Sequence, residues 1–154
     1  MESLLCNIIS HIKESMPSLS MVDENYGQIE NLCGGTEDNM YPVTFPAVLV
    51  DLQEVTWSHL KSYTQRGEAR VNVQLVIDCY DDTHCGSGTM QTAIGRARMA
   101  KDLHLSLQGF KPSKEHEMRR ESSKFYTVNH GIKIYETVYV VLVTDYWSPN
   151  KSPA

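Results

Sequence analysis

No stretch of this sequence stays apolar for the roughly 18 residues that a membrane-spanning helix needs, and its start, Met1-Glu2-Ser3, carries an acid where a secretory signal carries bases. The chain therefore reads as soluble and cytosolic, with no membrane partner. It has no Gly-x-Ser-x-Gly elbow, no His-Glu-x-x-His and no lysine-bearing phosphate loop, so the common hydrolase, metalloprotease and nucleotide-binding patterns are missing. That points away from an enzyme and implies no cofactor. Cysteine is scarce: Cys6, Cys33, Cys79 and Cys85 are the only four, and without a secretory signal they read as free thiols rather than a disulfide framework. A concentrated basic surface is missing too. Residues 1–60 hold nine acids and one base, net −8, and residues 61–154 hold ten acids and thirteen bases, net +3, which gives the −5 of the whole chain. This balance argues against general or sequence-specific nucleic-acid binding and suits association between unlike faces of neighbouring copies.

What is present suffices for one core. At 154 residues and 41% hydrophobic content, a single domain of this size buries roughly 70% of the surface its unfolded chain exposes. The reading is one α+β domain over residues 1–147, with two main helices on a mostly antiparallel sheet and a flexible tail at 148–154. Met1, Leu4, Leu5, Ile8, Ile9, Ile12 and Met16 recur at helical spacing, and Pro17 ends that helix. Asp23 to Pro46 is rich in turn formers and reads as a long loop, which in a domain this small hides a short strand or serves as a contact arm. From Ala47 the period changes to two, with Val48, Val50 and Leu52 opposing Leu49, Asp51 and Gln53. A loop around Arg66-Gly67 leads to a strand whose Ala69, Val71, Val73, Leu75, Ile77 and Cys79 face a core while Arg70, Asn72, Gln74 and Asp78 face water. Met90 to Leu107 reads as a helix with Met90, Ala93, Ile94, Ala97, Ala100, Leu103 and Leu107 on its buried stripe and Gly109 placed to end it. His104, within that stripe, reads as a hydrogen-bonded core residue rather than a ligand.

Candidate chemistry concentrates in Cys79 to Gln91, "CYDDTHCGSGTMQ". Zinc ligation by Cys79, His84 and Cys85 would need a fourth ligand such as His59 or His116, and the spacing matches no paired pattern that sets two ligands on one metal. Adjacent Asp81 and Asp82 diverge on an extended chain, which weakens a shared cation. Gly86-Ser87-Gly88-Thr89 could cradle an anion, yet Ser87 or Thr89 as a helix N-cap explains the same letters. The stretch reads as a strand-to-helix connection without a metal. A metal-dependent enzyme or ligand binder using Asp78, Asp81, Asp82, His84 and Cys85 is the alternative. Lys111 to Lys124 mixes five bases with three acids and reads as a solvated, mobile loop.

The last segment is the most informative. Phe125 to Val128, the turn Asn129-His130-Gly131, and Ile132 to Trp147 form a hairpin. Its second strand is apolar on both sides, Ile132, Ile134, Val138, Val140 and Leu142 against Tyr135, Tyr139, Val141, Val143 and Trp147. Both faces need cover. A neighbouring subunit over Tyr135, Tyr139, Val141, Val143 and Trp147 is one cover, and the Asp23 to Pro46 segment folding back over the second face is the other.

The order of elements resembles the tail terminator, or tail completion, proteins of long-tailed bacteriophages and their relatives among head-tail neck proteins. The resemblance is carried by "TFPAVLVDL" with "RVNVQLVIDCYDD", then "TAIGRARMAKDLHLSLQGF", then "VNHGIKIYETVYVVLVTD", while "VDENYGQIENL" looks like the segment after the first helix in small proteins of prophage morphogenesis clusters. It implies an α+β subunit assembling into a homo-oligomeric ring, a hexamer being one candidate, that caps the tail tube and joins it to the head connector. The implied partners are further copies of itself, the tail-tube protein and the head-tail connector protein. The implied location is the cytoplasm during assembly and the virion tail or neck afterwards. The family brings no catalytic residues. The 23–46 segment and the acidic turn after Cys79 are longer than its pattern needs.

Overall fold

A computed structural model describes residues 3–33, 43–79, 89–128 and 131–147. The expected tail at 148–154 lies outside them. The first helix, α1 (Leu4–Ser15), places Leu4, Ile8 and Ile12 on one buried stripe, where each full burial contributes about 2 kcal/mol. Lys13 sits in its last turn, where a cation complements the helix dipole. The Met16 N–H closes on the Ile12 carbonyl, and Pro17 goes no further because its ring lacks the donor.

The supposed loop from Asp23 holds two elements. Strand β1 (Met21–Glu24) runs parallel to β2 (Ala47–Lys61), and the short helix α2 (Gln28–Cys33) follows it. Gln28 is fully buried and staples the turn between them. Its side-chain nitrogen donates to the Glu24 carbonyl, and its Oε1 accepts the Tyr26 N–H, both at 2.8 Å.

Strands β2 and β3 (Thr64–Asp78) form a long antiparallel hairpin, and β5 (Ile132–Tyr146) pairs with β3 along its whole length. Helix α3 (Thr89–Leu107) and strand β4 (Arg119–Val128) come between β3 and β5 in the chain, giving the sheet order β1-β2-β3-β5-β4. The fold is α+β, with a five-stranded, mostly antiparallel sheet and three helices. One face of the sheet, called here the helix face, packs Val50, Val71, Leu75 and Tyr139 with Ile8 and Ile12 of α1 and Leu103 and Leu107 of α3. The back face carries a smaller core, Ala47, Leu49, Val76, Ile132 and Ile134, under Ile29 of α2.

Several expectations are corrected. The β2–β3 turn falls at Ser62-Tyr63, with Tyr63 at φ 64°. Gly67 lies inside β3 because the Trp57 ring covers it. A Cβ there would meet Val55 Cγ1 at 2.7 Å and Trp57 Cζ3 at 2.8 Å.

The residue 111–124 run is not a solvated loop. Met118 and Pro112 are buried, Asn7 donates to the Pro112 carbonyl, and Arg119 onward is the edge strand β4. Helix α3 does end near Gly109, at φ 82°, but its buried stripe is turned from the expected one. Leu103 and Leu107 are buried, Ala100 is half-buried, and Ala93, Ile94 and Ala97 are exposed.

The back face of β3 is wet only toward its ends, where Arg70 is half-buried and Asp78 exposed. Between them Asn72 and Gln74 are buried. Part of the 23–46 segment, with Ile29 of α2, packs on the Ile132 and Ile134 side of the sheet, opposite to the Tyr139 face over which it was expected to fold, because α1 and α3 already cover that one.

Candidate functional site

Two places in the fold bear on function, and the first is the segment where chemistry was expected. Asp81, Asp82, His84 and Cys85, with Ser87, lie outside the described residues. Of their neighbours, Asp78 ends β3 exposed, and the half-buried Cys79 packs against the helix-face core with its N–H on the Gly131 carbonyl at 2.6 Å. Neither proposed fourth ligand can join Cys79. His59 pairs with Gln65 at the far end of the hairpin, and fourteen residues of strand separate Gln65 from Cys79, roughly 45 Å. His116 lines a cleft with Val140 and Leu142, whose partners on β3 are Arg70 and Glu68, roughly 30 Å from Cys79 by the same measure. Among the described residues no group of three or more His, Cys, Asp or Glu side chains could hold a metal.

The strand face expected to meet a neighbouring subunit is instead the protein's own core. Tyr139, Val141 and Val143 are 1%, 1% and 2% exposed beneath α1 and α3, and Tyr135 packs half-buried against the same cluster. The correction is physical. Two amphipathic helices on one face suffice to exclude water from the alternate residues of three strands. Only Trp147 of the five expected interface residues stands open.

Tyr139 is held at its tip by a polar partner. Its hydroxyl lies 2.8 Å from His104 Nδ1, with the rings stacked at 5.9 Å. Burial raises the Tyr139 hydroxyl to about 12 and pushes His104 down, with Arg120 adding to the His104 shift. A neutral imidazole and a protonated phenol are thus the matched pair. His104 is hydrogen-bonded, as its sequence position suggested, but it is half-buried at the edge of the core rather than within it. Beside it a cleft of about 350 Å³ opens between α3 and the sheet, lined in part by Lys101, Arg120, Phe125 and Thr137.

On the back face, Gln74 Nε2 donates to Glu136 at 2.8 Å and to the Tyr126 hydroxyl at 3.2 Å, and Tyr126 in turn donates to Glu136. Burial first, then the Glu136 charge, raises Tyr126 to about 12. This closed network explains how polar residues of β3 can be buried. Among the described residues, Asn72 Oδ1 is buried without a hydrogen-bond partner.

The second place is the far end of the sheet, beyond the helices. There Trp57, Leu60, Tyr63, Tyr146 and Trp147 are all exposed, Tyr146 at 76% and Trp147 at 52%. Trp57 pairs with Gly67, and Tyr146 with Thr64, so the group falls within about 10 Å of strand length. It is also ordered. The Tyr63 and Trp147 rings meet edge to face at 5.0 Å, and the Trp147 N–H donates to the Tyr63 carbonyl at 3.0 Å.

Exposed aromatic groups clustered in this way make this end of the sheet a candidate contact surface. Sequence reasoning found only Trp147 of this group. Trp57, Leu60 and Tyr63 are interspersed with Ser, His, Lys and Thr and follow no single period. Their aromatic density was the one available signal.

No protein-family model matches the chain, and comparison with characterised proteins gives no match.

Proposed function

We propose that this protein is a structural subunit of bacteriophage tail or neck assembly, which forms a ring, caps the tail tube and joins it to the head connector. The observation that carries this reading is the exposed aromatic end of the β2–β3–β5 ribbon. Trp57, Leu60, Tyr63, Tyr146 and Trp147 offer an ordered apolar surface that suits a protein partner, since aromatic residues supply large rigid contact area. The α+β architecture agrees with what the resemblance to tail terminators implies, and it leaves the surface at one end of a stiff hairpin. Binding the last layer of tube subunits would occupy the surface on which the next layer adds, and so stop polymerisation. The subunit works in the cytoplasm during assembly and stays in the virion.

The test uses the tail-tube protein of the same virus. Adding the purified protein to polymerising tube subunits should halt elongation, and electron microscopy should show short tubes ending in a ring. Tubes of unchanged length with bare ends would overturn the proposal.

A further inference from the structure

The cleft beside His104 is built by four different elements, and the charges that line it are of one sign. Helix α3 lies over the sheet through Leu103 and Leu107, while the edge strand β4 pairs with the outer side of β5. Between α3 and β4 a wedge stays open where Ala100 contributes only a methyl group, and a volume of about 350 Å³ results. Small-molecule sites span roughly 300–1,000 Å³. The floor is Val73 and Leu75 of β3, 1% and 0% exposed. Phe125 of β4 and Tyr135 of β5 flank it, with rings that meet edge to face at 5.7 Å. Phe125 is 64% exposed, so an apolar body seated here would cover an aromatic ring that the fold leaves in water.

The polar groups of the walls are rich in donors. Lys101 of α3 and Arg120 of β4 are the charged side chains that line the cleft, and neither forms an ion pair among the described residues. The carboxylates closest to them along the chain and across the strands are engaged or lie elsewhere. Glu121 holds Arg70 in a bidentate pair at 3.0 and 3.1 Å, Glu136 accepts from Gln74 and Tyr126 on the back face, and Asp102 lies on the outer side of α3. Ser123 and Thr137 add hydroxyls to the lining. His104 adds an N–H. Its Nδ1 accepts from the Tyr139 hydroxyl at 2.8 Å, which leaves the ring proton of the neutral imidazole on Nε2, an atom with no partner among the described residues. Burial first, and then the Arg120 charge, hold His104 below the ordinary histidine value, and the same charge draws the Tyr139 hydroxyl down against the larger effect of burial. The field of the guanidinium therefore reaches the base of the cleft with no acid in the lining to cancel it.

We infer that this cleft binds a small organic carboxylate, with the carboxylate group between Arg120, Lys101 and His104 and an apolar or aromatic body on Val73 and Leu75 against Phe125 and Tyr135. An organic ligand is required because a bare anion would leave the apolar floor unused. A carboxylate is favoured over a phosphate because the planar fork of a single arginine matches two carboxylate oxygens. The site stands apart from the aromatic end of the sheet and does not rest on the assembly role.

The test is a ligand-observed NMR titration of the full chain with four probes: phenylacetate, phenylacetamide, phenyl phosphate and inorganic phosphate. Phenylacetate should bind with a Kd of about 1 mM or below, roughly 10-fold or more tightly than phenylacetamide, and saturation transfer should fall on its phenyl protons. Arg120→Gln and Lys101→Gln, at exposed positions, should keep the wild-type melting temperature and each weaken phenylacetate roughly 10-fold. The comparison of acid with amide needs no variant, so it stands even where a substitution lowers the melt.

Equal affinity for phenylacetamide would reduce the cleft to an apolar cavity and overturn the proposal. Tighter binding of phenyl phosphate or of inorganic phosphate would overturn the carboxylate assignment. Absence of binding at concentrations well above the expected Kd, with the chain folded, would overturn the site itself.

Discussion

Strand β3 passes through two different environments, and the contrast between its ends explains more than either does alone. From Ala69 to Ile77 the odd residues lie under α1 and α3, and Val76 lies under α2 on the reverse. At its other end, from Thr64 to Gly67, the described residues around it include Trp57, Tyr63, Tyr146 and Trp147, all exposed. The same hydrogen-bonded ladder runs through both. The covered end supplies the stability, and the open end is a stiff arm whose exposed apolar groups contribute little to it. Substitutions should therefore separate cleanly: those at the covered end unfold the chain, and those at the open end leave it folded and change what it binds.

The largest effect is expected at the covered end. Leu75→Ala removes a fully buried side chain and should cost about 3 kcal/mol. Tyr139→Asp should cost more, because it sets a carboxylate in a core site 1% exposed. Denaturant unfolding measures both. A folded Tyr139→Asp chain would place that residue outside the core.

Next is Gly67, at the boundary of the two environments. Gly67→Ala forces the Trp57 ring or Val55 to move, since the new methyl would lie 2.8 Å from one and 2.7 Å from the other. Overpacking of this kind costs about 1–3 kcal/mol. A Trp57→Ala partner substitution should recover part of the loss in a double-mutant cycle, and strict additivity would contradict the close approach.

A pH effect of smaller size comes from His104. Its pKa is lowered in the folded state, first by burial and then by Arg120, so the unfolded chain binds the proton more readily. This contribution is complete above the unfolded histidine value of about 6.5 and is lost progressively as pH falls from there through the lowered folded value. The wild type should therefore lose stability between pH 7 and 5 more steeply than a His104→Gln variant. Equal slopes would sink the assignment.

The smallest effect on stability belongs to the open end. Trp147→Ser, at a residue 52% exposed, should shift unfolding by about 0.5 kcal/mol or less. A loss of several times that would mean the open end is part of the folding core.

The pattern of what could be read from the sequence follows the same division. Helix α1, the helix-face residues of β3 and the apolar strand β5 were legible because burial on one or both sides enforces a strict period. Strand β4 was missed over Arg119–Lys124 because an exposed edge strand keeps no apolar alternation. The hairpin turn was misplaced because Gly67 signals a turn in sequence, while in the fold it makes room for an indole ring. Tyr63 takes the positive φ without the glycine that such a position usually signals.

The expected interface on Tyr139, Val141 and Val143 failed for a related reason. Hydrophobic residues on both sides of a strand show that both faces are covered, but not which cover is internal. The cluster around Trp147 needed long-range pairing to assemble and could not be seen in any window of the chain.

The most direct test of the central claim, that this is a ring-forming assembly subunit, is the mass of the full chain in solution across a concentration series. Light scattering should show one discrete oligomer of fixed mass that dissociates on dilution. A chain that stays monomeric at the highest concentration measured would contradict the account.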